Sequence, residues 1–314
     1  MSRKSLFLLA SLMVSAAHGQ SVTHRWKFNE TGATSHGTVI PDAIAGAPGT
    51  IVGIGAVRGG SALTLPGTTN GTLAADSISA YFDLPNGIIS SKSSLTIEIW
   101  ATIHAARTWQ RLFDFGNMNI AGNGAPGELT PTSGAPGGAT NSSDNLMLVA
   151  NRENTLSTQQ LTARLNGAGE INNQTNLTTS TGTQYHYVVT FQPGIGANAA
   201  TGGRLTWYRN GAQAGFIDTN FRLNQIDDAN NWLGRSQYTN DSNANISYSD
   251  VRIYDYALSP SQISANATAG PDANFPAPAT QPDAVTLRHG AKARVKVLAN
   301  DTGEIFRGSL TIEQ

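Results

Sequence analysis

Two carboxyl groups facing one cleft about 5–5.5 Å apart would make a retaining glycosidase, so the acids on strand-like stretches matter most. Glu98 is the only acid in Ser94–Ile103, and its same-face neighbours are Thr96 and Trp100. Asp114 lies in the next apolar stretch, and no spacing pairs it with Glu98. Glu98 therefore reads as a polar residue on the outer face of a strand. The 6 histidines form no His-x-His or His-Glu-x-x-His spacing, which leaves zinc hydrolysis unsupported. There is no cysteine, so thiolate nucleophiles, thiolate metal sites and disulfides are excluded. No Gly-x-Ser-x-Gly elbow occurs, and no glycine-rich phosphate loop opens a helix. What remains is recognition. Sugar rings stack on aromatic faces, and their hydroxyls need oriented amides. Trp109, Tyr238 and Asn240, with the Gly-, Pro- and Asn-rich stretch 117–145, are the candidate pieces. Trp26, Trp207 and Trp232 sit in strand patterns and read as core.

The elements that must position these residues are mostly strands. From Ser94 to Ile103, Leu95, Ile97, Ile99, Ala101 and Ile103 share one face while Thr96, Glu98, Trp100 and Thr102 share the other. That period of two fits a strand with its apolar side on a sandwich core. Gln184–Gln192 alternates in the same way, and Asn210-Gly211 joins Arg204–Arg209 to Ala212–Ile217 as a hairpin turn. Val251 and Ile253 alternate with Asp250, Arg252 and Tyr254 in a further strand. Ser259-Pro260, with Gln262 three residues after the serine, predicts a capping box and one short helix.

Several of these stretches resemble laminin G-like jelly-roll domains of the concanavalin A-like lectin/glucanase superfamily. The closing segment carries the likeness best: Gly234, Arg235, a polar loop, then Asp250-Val251-Arg252-Ile253-Tyr254, Ala257-Leu258-Ser259 and Ile263. The opening Trp26, Phe28, Asn29 and Glu30, the Leu112-Phe113-Asp114-Phe115-Gly116 run and the strand-hairpin pair from Gln184 to Gly211 are similar too. The resemblance implies an all-β, two-sheet antiparallel jelly-roll sandwich with one short C-terminal helix. Domains of this kind often hold one Ca²⁺ near the paired terminal strands. By that likeness Asn29, Asp42 and Asp250 are the expected ligands, since hard cations want carboxylate and carbonyl oxygens. Asp227-Asp228 and Asn240-Asp241 are alternative acidic loops, each explained as well by turn chemistry.

Composition and termini frame the rest. Of 314 residues only 13% are charged, 20 basic against 21 acidic, and the net charge of -1 gives no electrostatic case for nucleic acid or an anionic membrane surface. Arg3 and Lys4, the apolar run Leu6–Ala17 and Ala17-His18-Gly19 make residues 1–19 a signal peptide, so the protein is expected to be secreted or displayed at the cell surface. The run is too short to span a bilayer. The jelly roll is expected over 21–268, a Pro/Ala linker over 269–282, and a partial module over 283–314 that resembles bacterial cadherin-like or Ig-like repeats. The expected role is a non-catalytic binding or adhesion module of a longer chain, with a glycan or cell-surface protein as partner. A glycoside hydrolase or lyase, and a ligand-free spacer, are the alternatives.

Overall fold

The computed structural model describes residues 22–67, 79–119, 126–127, 142–238, 241–273, 294–295 and 310–311. The expected signal peptide and the expected partial C-terminal module therefore lie outside the described residues, apart from two short strands, Arg294–Val295 and Leu310–Thr311, paired antiparallel. Val22–Ala273 forms one compact unit.

In chain order the strands of that unit are β1 (Val22–Lys27), β2 (Val39–Ile40), β3 (Gly49–Val52), β4 (Val57–Arg58), β5 (Leu63–Thr64), β6 (Tyr81–Leu84), β7 (Leu95–Ile103), β8 (Arg111–Asn119) and β9 (Pro126–Gly127). They continue as β10 (Ser142–Val149), β11 (Gln159–Arg164), β12 (Ile171–Thr175), β13 (Gln184–Pro193), β14 (Gly203–Arg209), β15 (Ala212–Thr219), β16 (Asn230–Leu233) and β17 (Ile246–Tyr254). One α-helix, α1 (Pro260–Ala269), follows. An eight-stranded sheet runs β15-β14-β13-β7-β17-β5-β4, with β1 on β17. A nine-stranded sheet runs β12-β11-β10-β8-β16-β6-β3-β2, with β9 on β8. The two antiparallel sheets form the expected jelly-roll sandwich.

Alternation decides what lies between the sheets. Leu95, Ile97, Ile99, Ala101 and Ile103 of β7 enter the core, as do Val251 and Ile253 of β17, all at most 1% exposed. Each such aliphatic chain contributes about 1.5–3 kcal/mol by leaving water. Phe113 and Phe115 of β8, Leu146 and Leu148 of β10, and Phe82 and Leu84 of β6 answer from the nine-stranded sheet. Trp26 and Trp207 are core residues as expected. Trp232 is buried but belongs to the opposite face of its sheet, since its neighbour Leu233 takes the core side.

Turn chemistry acts where the sequence places it. Asn210 and Gly211 both have positive φ, 51° and 82°, which a two-residue hairpin turn between twisted strands requires. Ser259 caps α1: Gln262 N donates to its Oγ at 3.3 Å, and Ser259 N donates to Gln262 Oε1 at 2.9 Å. Among the described residues no helix is long and apolar enough to cross a membrane. Most of the 117–145 stretch lies outside the described residues, but its ends are strand: β8 runs on to Asn119, and β10 starts at Ser142.

Candidate functional site

The outer face of the nine-stranded sheet is polar at its centre. Asp114 of β8 alternates with the core residues Phe113 and Phe115 and so points away from the sandwich, yet it is fully buried. What covers it is the polar loop that starts at Gly234 (φ 80°) and folds back over its own sheet. Gln237 pins that loop: its backbone N donates to Asp114 Oδ2 at 3.0 Å, and its Nε2 donates to Asn230 O at 2.9 Å. Ser242 N donates to Thr108 O at 2.9 Å, and Ala244 N closes the loop on Gly234 O at 2.8 Å.

Arg111 is the hub beneath the loop, 1% exposed. It donates through Nη2 to Asp241 Oδ2 at 2.5 Å, through Nε to Asp114 Oδ2 at 3.3 Å, and through Nη1 to Trp109 O at 2.5 Å. Burial lifts the Asp114 carboxyl to about 7 despite the pull of Arg111, and its Oδ1 has no hydrogen-bond partner among the described residues. Burial raises Asp241 as well, against the same arginine.

The two aromatic residues expected at a binding surface both contact this hub, Trp109 through its backbone carbonyl and Tyr238 through its ring. Trp109 is half-buried and holds a left-handed backbone, φ 54°, a strained choice for a bulky residue. Its N–H donates to Glu153 O at 2.9 Å, and the Arg152 guanidinium lies 5.0 Å from its ring centre. Tyr238 is half-buried; the Arg111 guanidinium lies 5.8 Å from its ring centre. Its hydroxyl donates to Glu170 and accepts from Arg164 Nη1 at 3.2 Å. Burial, with Glu170 alongside, raises the phenol, so Tyr238 is no ready phenolate nucleophile. Asn240 lies outside the described residues.

Sequence reasoning missed Arg235 as a site residue, having used it only as part of a resemblance. Its guanidinium sits 4.7 Å from the Tyr81 ring centre and 4.5 Å from that of Trp232, and the residue is 6% exposed. Its Nη1 is buried with no hydrogen-bond partner among the described residues. The signal was present in the Gly-Arg pair after β16, but Tyr81 is remote in the chain.

The expected calcium ligands do not assemble. Asp42 Oδ1 accepts from Arg25 N and Ile44 N, both at 2.9 Å, while Oδ2 accepts from His24 Nδ1 at 2.8 Å and from Ala45 and Ala47 N at 3.2 and 3.3 Å. Burial pushes this carboxyl up, but those donors outweigh it and hold it below its ordinary value. Asp250 Oδ2 accepts from Arg25 Nη2 at 2.6 Å and Arg252 Nη2 at 2.8 Å. Asn29 is exposed. Both carboxylates are thus engaged by donors that a cation would have to displace, and no group of three or more His, Cys, Asp or Glu able to hold a metal occurs among the described residues. The residues present do not fit the ion. The other acidic loop, Asp227-Asp228, borders a hollow of about 200 Å³ with Asn86, Gly87 and Ser90. Asp228 there accepts from Ile89 N at 2.9 Å, from Ser90 Oγ at 2.5 Å and from Asn231 Nδ2 at 3.1 Å, which ties its loop to the remote Ile89–Ser90 segment and goes beyond local turn chemistry.

Glu98 is on the outer face of the eight-stranded sheet, but it is fully buried rather than a surface residue. It accepts from Tyr254 Oη at 2.6 Å, His186 Nε2 and Asn266 Nδ2 at 2.9 Å, and Arg252 Nη1 at 3.4 Å. Asn266 belongs to α1, which closes that face.

A family model described as the concanavalin A-like lectin/glucanases superfamily matches residues 76–264. No curated protein sequence matches the chain. Among solved structures, domain 4 of AbnA, a GH43 extracellular arabinanase from Geobacillus stearothermophilus in complex with arabinotriose, is similar with TM-score 0.50 and 18% identity, over 79% of this chain and 98% of that one. Trypanosoma rangeli sialidase is similar at 0.48 and 15%, over 79% of this chain and only 32% of the enzyme's own length. The CBM40 of Ruminococcus gnavus IT-sialidase, bound to α2,3-sialyllactose, gives 0.40 and 15%, over 56% and 84%.

Proposed function

The chain belongs to the concanavalin A-like lectin/glucanases superfamily, and from that premise we propose that it is an exported, non-catalytic module that binds carbohydrate on the outer face of its nine-stranded sheet. The observation that carries this reading is that Arg111 is tied to two half-buried aromatic residues, Trp109 through its backbone carbonyl and Tyr238 through its ring, while the Trp109 ring lies against Arg152. Rings of that kind offer a flat apolar face to a sugar, and the flanking groups offer donors and acceptors to its hydroxyls. Export rests on the expected signal peptide, and service as one module of a longer surface or secreted chain rests on the expected C-terminal repeat.

The non-catalytic part rests on how the acids are held. Glu98 lies beneath α1 with four donors on it. A hydrolase or lyase is favoured by one observation, the Asp114 carboxyl near 7, a value suited to a general acid. That carboxyl, however, is sealed under the loop and tied to Arg111. A glycan array with the full chain tests binding, and an assay for new reducing or unsaturated ends on the bound glycans tests catalysis. A blank array sinks the binding reading; turnover sinks the non-catalytic one.

A further inference from the structure

Among the described residues Arg235 has no ion-pair partner. Its guanidinium lies against Tyr81 of β6 and Trp232 of β16, adjacent strands of the nine-stranded sheet. Its residual exposure is 6%, and Nη1 is buried with no partner among the described residues. Of the acids on this face, Asp114 and Asp241 belong to Arg111, and Asp83, opposite Trp232 in the strand pairing, forms no ion pair with Arg235. A buried charge ordinarily has a paired group, because removing it from water is costly. The aromatic corner eases part of that cost through the ring quadrupoles, but it leaves Nη1 without an acceptor among the described residues. The loop holds the arginine in place from both sides, through the φ of 80° at Gly234 and the Ser236 Oγ–Asp241 Oδ2 bond of 2.9 Å.

We infer that Arg235 is the anchor for a carboxylate-bearing sugar. This rests on the glycan-binding reading above and names the class of glycan. A guanidinium fork matches a planar carboxylate, bidentate, better than any other side chain does. Its weak hydration suits a partly desolvated slot. One cation calls for one negative charge, and a net charge of -1 offers nothing to a polyanion. The rings of Tyr81 and Trp232, 1% and 0% exposed, are too covered to stack on a sugar themselves; they orient the arginine. The half-buried rings of Trp109 and Tyr238 are left for the pyranose faces.

The carboxylate can come from a uronic acid or from a nonulosonic acid such as sialic acid, so both are used as probes. Calorimetric titration of the full chain with galacturonic acid and with 3′-sialyllactose, each beside its methyl ester, reads the role of the charge. The acid form of one probe is expected to bind roughly ten- to a hundredfold tighter than its ester. Arg235→Gln is expected to abolish that preference while the unliganded melting temperature stays within about 2 °C. Arg235→Lys, which keeps the charge without the fork, is expected to weaken the acid and leave the ester unchanged. Equal binding of acid and ester overturns the assignment and leaves the glycan-binding reading standing. A preference that survives in Arg235→Gln overturns it too, as does binding of neutral glycans on the array with neither acid bound. If neither probe nor any arrayed glycan binds, both readings fall. Should Arg235→Gln not fold, the acid-to-ester ratio of the wild type and the Arg235→Lys titration still decide.

Discussion

Arg252 on the outer face of the eight-stranded sheet and Arg235 on that of the nine-stranded sheet each lie on a tryptophan, 4.4 Å from the Trp100 centre and 4.5 Å from the Trp232 centre. Around Arg252 the polar groups close on one another. Glu98 and Asp250 are its anions, and Pro271 O accepts from its Nη2 at 2.7 Å. The Glu98 carboxyl, pushed up by burial, is carried below its ordinary value by His186, Arg252 and Tyr254. Around Arg235 no acceptor among the described residues meets Nη1, and the neighbouring Asp114 stays raised to about 7. The covers differ as well: a capped helix on one side, a loop of Ser, Gln, Asn and Asp on the other. Identical ingredients thus form a structural pin where every charge is answered, and leave an unpaired guanidinium on the other face.

The largest effect that can break this contrast is on the closed face. Arg252→Ala leaves Glu98 and Asp250 buried without their common cation and is expected to cost about 3–5 kcal/mol in denaturant melts; a loss below about 1 kcal/mol would mean that the cluster is not a pin. Next comes pH. Asp114 titrates near 7 when folded and near 4 when unfolded, so between those values the native state binds the extra proton. Its contribution is full below the unfolded value and is lost as pH rises to about 7. Asp114→Asn should therefore gain on the wild type across that window, by ~2–4 kcal/mol in total at most, and level off above it. Glu98→Gln should run the other way: the lowered Glu98 stabilises above its unfolded value and loses that as pH falls through the folded one. Parallel pH profiles for the two variants would erase the distinction between the faces. A smaller effect is expected at the helix cap, where Ser259→Ala should cost about 1 kcal/mol and raise amide exchange in α1 without changing glycan binding.

Local chemistry was legible in the chain. The Asn210-Gly211 turn, the Ser259 capping box and the alternation of β7 each depend on residues a few positions apart, and each stands as expected. Trp232 shows where that reasoning stops. A period of two says which residues share a face, but both faces of this sheet are buried, so it could not say that Leu233 rather than Trp232 meets the core. Glu98 was placed on the correct face and given the wrong surroundings, because its four donors come from residues 186, 252, 254 and 266. Trp109 and Tyr238 were legible as aromatic residues flanking loops. Their junction at Arg111 and the Tyr81–Arg235 contact join segments far apart in sequence, and only the topology brings them together.

The smallest expected effect concerns calcium, and it sharpens the contrast from a third place. An ion bound only by the native state, at a hundred times its Kd, would add about 2.7 kcal/mol, a shift of a few degrees for a chain of this size. Asp42 and Asp250 are better described as members of the closed face, because Arg25 joins them: its backbone N donates to Asp42 and its side chain to Asp250. Adding calcium or a chelator is therefore expected to move the melting temperature by less than about 1 °C. If a larger shift appears and Asp42→Asn removes it, the five donors on Asp42 yield to a cation, and the answered face is itself a binding site. If the shift survives in that variant, the ion is held elsewhere, and Asp42 keeps its place as the organiser of the turn that follows β2.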